Sequence, residues 1–164
     1  LRDNSKFKDN IVKNNSGAGI SGSDNCIFSG NSVFSNSGAG IECDDGNTII
    51  SNSVYANSGF GIWCDEGNVL KNNSARNNNV GIKALNGSSI IHNSVRGNNG
   101  DGIYAGYACT VTGNTAYSNG DYGINLGRYN LVDQNTAYNN DLNDGGTGNM
   151  DDPLGCVFGK NVAP

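Results

Sequence analysis

The sequence predicts an all-β protein, a single right-handed parallel β-helix of about seven coils, each with 20 or 21 residues and three short strands. Three observations carry this prediction: a Gly-Ile pair recurs with a nearly fixed period, two series of Asn share one register, and apolar residues alternate with polar ones. A repeat of 20–50 residues is the sequence signature of solenoids and related arrays.

The Gly-Ile pair marks one strand of each coil. Successive pairs lie 21 residues apart, except for one step of 20 between Gly61 and Gly81. We expect the turn between Asn78 and Gly81 to absorb the missing residue. The pairs are Gly19-Ile20, Gly40-Ile41, Gly61-Ile62, Gly81-Ile82, Gly102-Ile103 and Gly123-Ile124.

Two Asn series predict the corners between strands. Coils stacked about 4.8 Å apart place each residue over its equivalent, so Asn amides can hydrogen-bond along the stack. Gly supplies the positive φ that tight corners need. The first series is Asn10, Asn31, Asn52, Asn73, Asn93, Asn114 and Asn135, and the second is Asn15, Asn36, Asn57, Asn78, Asn98, Asn119 and Asn140.

Apolar residues around these series keep the period of two that is typical of strands. Together with the repeat Ile, we expect three further columns to point inward, because one coil cannot bury its own apolar side. They are Phe7, Phe28, Ile49, Leu70, Ile90, Val111 and Val132; Val12, Val33, Val54, Ala75, Val95, Ala116 and Ala137; and Gly22, Cys43, Cys64, Ala84, Ala105 and Leu126.

Amphipathic helices and a left-handed β-helix are the alternatives to this fold. Gly and Asn at this density oppose helix formation, and the apolar residues show no period of 3.6. A left-handed β-helix is built from hexapeptides in coils of about 18 residues, which the period of 21 does not fit.

The composition restricts the partners of this chain of 164 residues. Its net charge of −5 and pI near 4.6 argue against nucleic acid, which attracts basic surfaces. The sequence contains neither an apolar run long enough for a membrane span nor a basic-then-apolar signal peptide, so we expect no membrane insertion. A chain rich in Asn, Ser, Thr and Gly and poor in Lys is typical of secreted or cell-surface proteins.

The pattern of Gly-Ile, Asn-Ser/Thr-Val/Ala and Asn over residues 4–142 resembles right-handed parallel β-helix proteins of the pectate lyase-like superfamily. That superfamily includes pectate lyases, polygalacturonases, alginate lyases and epimerases, phage tailspikes and non-catalytic surface proteins. The resemblance therefore implies a polysaccharide as substrate or ligand. In the lyase-like members, acidic ligands hold calcium beside the uronate and a basic residue takes the proton. The motif is specific for the fold, and fold does not fix function.

The two ends of the repeat differ. We expect coils over residues 1–142 and a C-terminal cap over residues 143–164, in which Leu154, Val157 and Phe158 cover the last coil. The stretch Gly145 to Asn149 faintly resembles a calcium-binding turn, and we interpret it as a plain loop. The repeat is already in register at Phe7, so we expect the first coil to be uncapped and covered by another molecule or segment.

Five Cys residues leave two interpretations open. Cys43 and Cys64 share an inward column on adjacent coils, at a separation that permits a disulfide. Buried free thiols that act as small hydrophobic side chains are the other interpretation. Cys26 and Cys109 lie four coils apart and cannot pair, and Cys156 belongs to the predicted cap.

The first candidate surface follows the Gly-Ile strands. Its outward residues are Glu42, Trp63, Lys83 and Tyr104 in one column and Asp44 and Asp65 in the next, with Asp45 and Glu66 at the turn. Calcium bound by Glu42, Asp44 and Asp65, an acid/base pair, and a sugar held against Trp63 and Lys83 are the functional interpretations. Solvated turn acids beside a surface aromatic residue are the structural one.

The second candidate surface lies three residues after the first Asn series. Its members are Lys13, Phe34, Tyr55, Arg76, Arg96, Tyr117 and Tyr138. Aromatic rings suit the faces of sugars and Arg suits uronate carboxylates, so Tyr55, Arg76, Arg96 and Tyr117 are the preferred ligand-binding residues. Stacking that only stabilises the sheet, or burial under a neighbouring chain, is the alternative.

Two hypotheses of function remain. The first is a non-catalytic extracellular module that binds a polysaccharide or cell-surface glycan, or serves as a surface scaffold. The second is a polysaccharide-active enzyme, most simply a lyase. We favour the first because no coil carries a long loop that could build a cleft, and the single His92 offers no triad. We expect no cofactor other than calcium.

A Ser and Thr column beside the second surface does not suit ice binding, because Arg and Tyr adjoin it.

Overall fold

The chain folds into a parallel β-helix in a computed structural model that describes residues 1–141, 148–151 and 155–162. Every strand pairs in parallel with its equivalent one coil away, in three sheets of eight, seven and six strands. Sheet A contains Lys6–Lys8, Ile27–Ser29, Thr48–Ile50, Val69–Lys71, Ser89–Ile91, Thr110–Thr112, Leu131–Asp133 and Val157–Phe158. Sheet B contains Ile11–Lys13, Ser32–Phe34, Ser53–Tyr55, Ser74–Arg76, Ser94–Arg96, Thr115–Tyr117 and Thr136–Tyr138. Sheet C contains Ile20–Gly22, Ile41–Cys43, Ile62–Cys64, Ile82–Ala84, Ile103–Ala105 and Ile124–Leu126.

The fold class is confirmed, and the number of coils is about six rather than seven. Six coils carry a strand in each sheet, whereas the described residues after Tyr138 supply only an isolated bridge between Met150 and Ile124 at sheet C. The reason is local: the sequence has no further Gly-Ile pair at the next repeat position.

The core is the set of inward columns that the alternation predicts. Val33, Val54, Ile62, Leu70 and Ile90 are all fully buried, and the middle residue of each three-residue strand in sheets A and B is the one that points inward. Since each coil is only a few side chains wide, these residues are buried by stacking on their equivalents above and below.

Both predicted Asn ladders are present at inward corners. Asn31 donates from its Nδ2 to Asn52 Oδ1 at 2.9 Å, and the backbone N–H of Asn31 donates to the same oxygen at 3.0 Å. Asn52 Nδ2 donates in turn to Asn73 Oδ1 at 3.0 Å and to the backbone carbonyl of Phe28 at 2.9 Å. Each amide thus satisfies a buried backbone N–H of the coil before it, which explains why Asn recurs.

A third ladder, which the sequence interpretation missed, lines the corner between sheet C and sheet A. The backbone N–H of Cys26 donates to Asn47 Oδ1, that of Asn47 to Asn68 Oδ1, and that of Asn68 to Ser88 Oγ, at 2.7, 2.7 and 3.2 Å. Cys109 donates in the same way to Asn130 Oδ1. Asn47 and Asn68 are 21 residues apart and Asn130 lies three coils further on, but Cys26, Ser88 and Cys109 at the other rungs interrupt the series.

Positive φ falls on the residue before each ladder position and not on the Gly of the Gly-Ile pairs. His92, with φ of 54°, is one such corner residue and lies in the column of Gly113. The repeat Gly is required for close approach instead. A Cβ on Gly40 would lie 2.7 Å from the carbonyl oxygen of Gly61 and 2.8 Å from Nδ2 of Asn57. The expectation that Gly supplies positive φ at corners is confirmed, for example at Gly30, Gly46 and Gly97.

The residue missing from the 20-residue repeat is lost in the turn between Asn78 and Gly81, as the sequence predicts. The backbone N–H of Asn79 donates to the carbonyl of Gly59, 20 residues earlier, whereas the N–H of Ser58 donates to Asn36 with a separation of 22. The next coil lacks an equivalent of Ser58, and the strand register on both sides is unchanged. This part of the prediction is confirmed.

The C-terminal segment continues the repeat with further rungs. Asn161 Oδ1 accepts from the backbone N–H of Asn135 at 2.9 Å, and Asn149 Oδ1 accepts from that of Asn140 at 3.1 Å, so both ladders gain a further rung. Val157 and Phe158 lengthen sheet A beyond Leu131 and Val132 and stay 63% and 37% exposed, and a capping role for residues 143–164 stays a prediction. The Asn spacing of 26 and 9 hides these rungs from a search with a fixed period. Leu142, Leu154 and the predicted loop at Gly145 to Thr147 lie outside the described residues.

At the other end, residues 1–5 run beside the first corner. The N–H of Asn4 donates to the carbonyl of Asp24 and the N–H of Ile27 to that of Ser5. Ile20 is buried, whereas Phe7 and Val12 stay partly exposed at the edge. Contact of another molecule with this end stays a prediction.

Candidate functional site

The preferred surface is a continuous ladder of side chains on the outer face of sheet B. The strand pairing places its seven members in one column: Lys13, Phe34, Tyr55, Arg76, Arg96, Tyr117 and Tyr138. We call this column the sheet B ladder. The inward neighbours Val33, Val54 and Ala75 force its members outward, because side chains alternate along a strand.

The first half of the sheet B ladder is a stack of rings and cations. The rings of Phe34 and Tyr55 are 4.8 Å apart and nearly parallel, at 6°. Lys13 Nζ lies 5.7 Å from the centre of the Phe34 ring, and the guanidinium carbon of Arg76 lies 4.2 Å from that of Tyr55. Both cations are held over ring faces, where the quadrupole of the ring attracts positive charge. The Tyr55 ring therefore fixes the position of the Arg76 head group.

A cleft opens where the ladder changes from rings to cations. Its volume is about 250 Å³, and its lining residues are Arg76, Asn77, Arg96, Gly97, Tyr117 and Ser118. Gly97 replaces a larger residue of the corner column, so it leaves a notch beside the two Arg side chains. Tyr117 and Tyr138, 4.7 Å apart and tilted by 32°, continue the ladder beyond the cleft. The structure thus brings together Arg76, Arg96 and Tyr117, with Tyr55 one rung away.

The second predicted surface, on sheet C, also gathers some of its residues. Lys83 Nζ lies 5.4 Å from the ring centres of both Phe60 and Tyr104, and Phe60 lies 5.7 Å from Trp63 at a tilt of 36°. Phe60 was missed because it precedes the Gly-Ile pair, in a column of mixed residue types: Ala18, Ala39, Phe60, Val80, Asp101 and Tyr122. The Trp63 indole nitrogen is buried without a hydrogen-bond partner. Trp63 and Lys83 remain candidates for a second sugar contact.

Two acidic side chains of the turn column near Trp63, Asp24 and Asp45, bind the backbone of the next coil turn. Asp24 Oδ1 accepts from the backbone N–H of Asp45 at 3.0 Å, and Asp45 Oδ1 accepts from that of Glu66 at 2.8 Å. These carboxylates form an outer counterpart of the Asn ladders. Partial burial, followed by repulsion from Asp45, Asp44 and Glu66, raises the pKa of Asp65 above its ordinary value of 3.8, against the opposing effect of Lys83.

The proposed calcium ligands Glu42, Asp44 and Asp65 are not gathered into a site. In residues 1–141, 148–151 and 155–162, no three His, Cys, Asp or Glu side chains lie close enough to hold one metal ion. Glu42 lies beside Trp63 on the strand, while Asp44 and Asp65 lie at the following turn. The residues present do not fit a calcium site of three side chains, and calcium binding stays a prediction.

A further cleft, which sequence reasoning missed, lies at the corner that leads into sheet C. Its volume is about 350 Å³, with Asp101, Asp121, Tyr122, Asn125 and Asp141 as lining residues. Asp101 accepts from Asn125 Nδ2 at 2.9 Å and from the backbone N–H of Tyr122 at 3.1 Å. Burial raises the pKa of Asp101 above 3.8 and outweighs these hydrogen bonds. The spacing of Asp101, Asp121 and Asp141 by about one coil was the available signal.

No helix that is long and apolar enough to span a membrane occurs in the described residues. His92 is an exposed corner residue, as expected from its place beside Asn93.

Several solved structures resemble this fold. The A-module of mannuronan C-5 epimerase AlgE4 from Azotobacter vinelandii superimposes with a TM-score of 0.80 and 13% identity, covering 98% of this chain and 53% of that one. Pectate lyase Pel9A gives 0.72 and 20%, covering 79% and 42%, and the periplasmic alginate epimerase AlgG gives 0.64 and 19%, covering 88% and 50%. The chain spans about half the length of these proteins, and at this identity the likeness concerns the fold alone.

No curated protein matches the chain in sequence. The family described as "Right handed beta helix region" matches residues 2–99, which is more than half of the chain. That match agrees with the parallel pairing, the three sheets and the predicted handedness. The chain therefore belongs to the right-handed β-helix family.

Proposed function

We propose that this chain binds an acidic polysaccharide along the sheet B ladder and carries out no chemistry on it. The observation that supports this most strongly is the cleft at Arg76 and Arg96, which lies between the Phe34–Tyr55 and Tyr117–Tyr138 ring pairs. Rings offer flat apolar faces for sugars, and the two guanidinium groups offer paired donors for carboxylates.

The spacing of the ladder suits an extended ligand. Successive ring centres lie 4.7–4.8 Å apart, a distance close to the length of one sugar unit. A polysaccharide parallel to the helix axis therefore meets one ladder residue for each sugar over several coils. Because one ligand makes many weak contacts at the same time, their binding energies combine, and a shallow surface can bind it with useful affinity.

The charge pattern supports an anionic ligand at a defined place. The protein carries a net charge of −5, yet the cleft is lined by two Arg and, among the described residues, by no carboxylate. A polyanion is repelled by the acidic turns of sheet C and attracted to this segment of sheet B. The proposal implies a secreted or cell-surface protein that meets a glycan there, and it includes no nucleic acid partner.

Affinity electrophoresis through gels that contain polymannuronate, polygalacturonate or neutral dextran tests the proposal. We expect the two polyuronates to retard the protein and dextran to have little effect. The double variant Arg76→Ala/Arg96→Ala should lose about tenfold or more in affinity, since a hydrogen bond to a charged group contributes about 1.5–3 kcal/mol.

Lys71→Ala/Arg128→Ala is the matched control. It removes two positive charges from exposed positions outside the ladder, so it reproduces the change in net charge. Equal loss of retardation in both double variants would show that net charge alone governs migration and would contradict a site at Arg76 and Arg96. Retardation should also weaken as salt rises, because screening weakens exposed charge pairs.

An enzyme that acts on a polysaccharide is the second candidate, and the cleft at Asp101 favours it. A partly buried carboxyl with a raised pKa beside Tyr122 and Asn125 is a reasonable acid or base. An absorbance assay for unsaturated products, together with proton NMR for epimerised sugars, tests it. Activity that disappears in Asp101→Asn and persists in Arg76→Ala/Arg96→Ala would replace the binding proposal with this one.

A further inference from the structure

Two cysteines face each other in the core behind the Trp63 surface. Cys43 and Cys64 are the last residues of neighbouring sheet C strands and are direct partners in the parallel register. Their sulfur atoms lie 2.7 Å apart, and the two residues are only 4% and 0% exposed. No other pair of cysteines in the described residues has such a contact.

The remaining cysteines have a different environment. Cys26, Cys109 and Cys156 each donate the S–H group to a backbone carbonyl oxygen, at 3.1, 3.2 and 3.3 Å. These three are thiols with a role as hydrogen-bond donors at the third ladder corner. Cys43 and Cys64 have no such carbonyl acceptor in the part of the chain that the structure describes, and each sulfur contacts the other.

We propose that Cys43 and Cys64 form an intramolecular disulfide that covalently joins two consecutive coils. The parallel register sets their Cα atoms one coil spacing apart, about 4.8 Å, which lies inside the range of disulfides. Their column continues with Ala84 and Ala105, so the sulfur atoms meet no bulky neighbour along that direction.

The reaction is an ordinary thiol–disulfide exchange. A thiolate from one cysteine attacks a small-molecule disulfide such as oxidised glutathione, forms a mixed disulfide and releases one glutathione thiol. The second cysteine then attacks the mixed disulfide, forms the Cys43–Cys64 bond and releases the second thiol. The protein loses two electrons and two protons, and the oxidant gains both.

Burial determines when this reaction can occur. Cys43 and Cys64 are buried, so oxidants in solution do not reach the two thiols in the folded protein. The bond therefore forms while the coils are still closing, and once formed it is shielded from reductants. The linked segment contains the acidic turn and Trp63, so the bond fixes the base of the sheet C surface.

Mass spectrometry of the full chain, refolded with oxidised or with reduced glutathione, tests this inference. After denaturation and alkylation, the oxidised sample should carry three alkyl groups, at Cys26, Cys109 and Cys156, and the digest should contain a peptide joined through Cys43 and Cys64. Five alkyl groups in the oxidised sample, or a bond between another pair, would overturn the proposal.

Thermal unfolding provides a second readout. The wild-type protein should unfold several degrees higher in the oxidised than in the reduced form, because a cross-link constrains the unfolded chain. Cys43→Ala and Cys64→Ala should abolish that difference, and Ala already occupies this column at Ala84 and Ala105. Cys156→Ala is the matched control and should retain it. A redox difference that survives in Cys43→Ala would refute the assignment.

Discussion

The replacement of Asn73 by Leu tests the physical role of the Asn ladder. Asn73 is 1% exposed and makes four side-chain hydrogen bonds. Its Oδ1 accepts from the backbone N–H and the Nδ2 of Asn52 at 2.9 and 3.0 Å. Its Nδ2 donates to the carbonyl of Ile49 at 2.8 Å and to Asn93 Oδ1 at 3.0 Å. Leu has the same branching and the same number of side-chain heavy atoms, and it can make none of these bonds.

The size of the destabilisation depends on which polar groups lose all of their hydrogen-bond partners. Asn52 Nδ2 keeps the carbonyls of Phe28 and Ile50, whereas the buried backbone N–H of Asn52 loses its acceptor. An unpaired buried N–H costs about 1–3 kcal/mol, and the bond lost at the Ile49 carbonyl adds about 1 kcal/mol. We therefore expect Asn73→Leu to lower the free energy of unfolding by about 2–4 kcal/mol. In a protein of this size, that corresponds to a fall in Tm of roughly 5–15 °C.

Circular dichroism follows the loss of the strands as a whole. The fluorescence of Trp63, the single Trp, follows unfolding at one strand of sheet C. Asn79→Leu is the control, because Asn79 has an exposed side chain and takes part in the coil through its backbone. It should unfold close to the wild-type temperature. If Asn73→Leu and Asn79→Leu unfold within a degree of each other, the hydrogen bonds of the ladder do not stabilise the fold and the reasoning fails.

Two further predictions concern the repeat Gly and the acidic turn. Gly40→Ala should lower the free energy of unfolding by about 1–3 kcal/mol, because the added Cβ meets the carbonyl oxygen of Gly61. Gly17→Ala is the control, because a Cβ at Gly17 meets nothing within 4 Å. Chemical denaturation measures both variants, and equal stability would contradict the packing argument. The raised pKa of Asp65 means that the folded protein holds this proton more tightly than the unfolded chain does, so ionisation of Asp65 destabilises the fold as pH rises above 3.8. Asp65→Asn should therefore raise the Tm at neutral pH and leave the Tm unchanged well below pH 3.8. A lower Tm of this variant at neutral pH would contradict the prediction.

The fold could be predicted because equivalent backbone groups are buried in every coil and need the same hydrogen-bond partner. Asn52, Asn73 and Asn93 accept from the backbone N–H groups of Asn31, Asn52 and Asn73, so Asn recurs with the period of the coil. The incomplete last coil could not be predicted in this way. There, Asn149 and Asn161 supply the rungs at irregular spacing, since the connecting chain no longer follows the 21-residue path.

The candidate site was predicted in part. The alternation of strands places Tyr55, Arg76, Arg96 and Tyr117 in one outward column, and the structure confirms that they are neighbours. The proposed calcium ligands Glu42, Asp44 and Asp65 were predicted by the same rule but are not gathered, because Glu42 lies within a strand and the other two lie at the turns that follow.

The sequence by itself determined the solenoid, its register and the direction of each side chain, because a period of 21 combined with strand alternation leaves one arrangement that buries the apolar columns. The tertiary structure alone decided the features that depend on distances between coils. These are the cleft beside Gly97, the stacking of Arg76 on Tyr55, the contact of the Cys43 and Cys64 sulfur atoms, and the cleft around Asp101. Column membership fixes which residues are neighbours, whereas rotamers, ring tilts and the paths of corner segments fix whether those neighbours enclose a space or fill it.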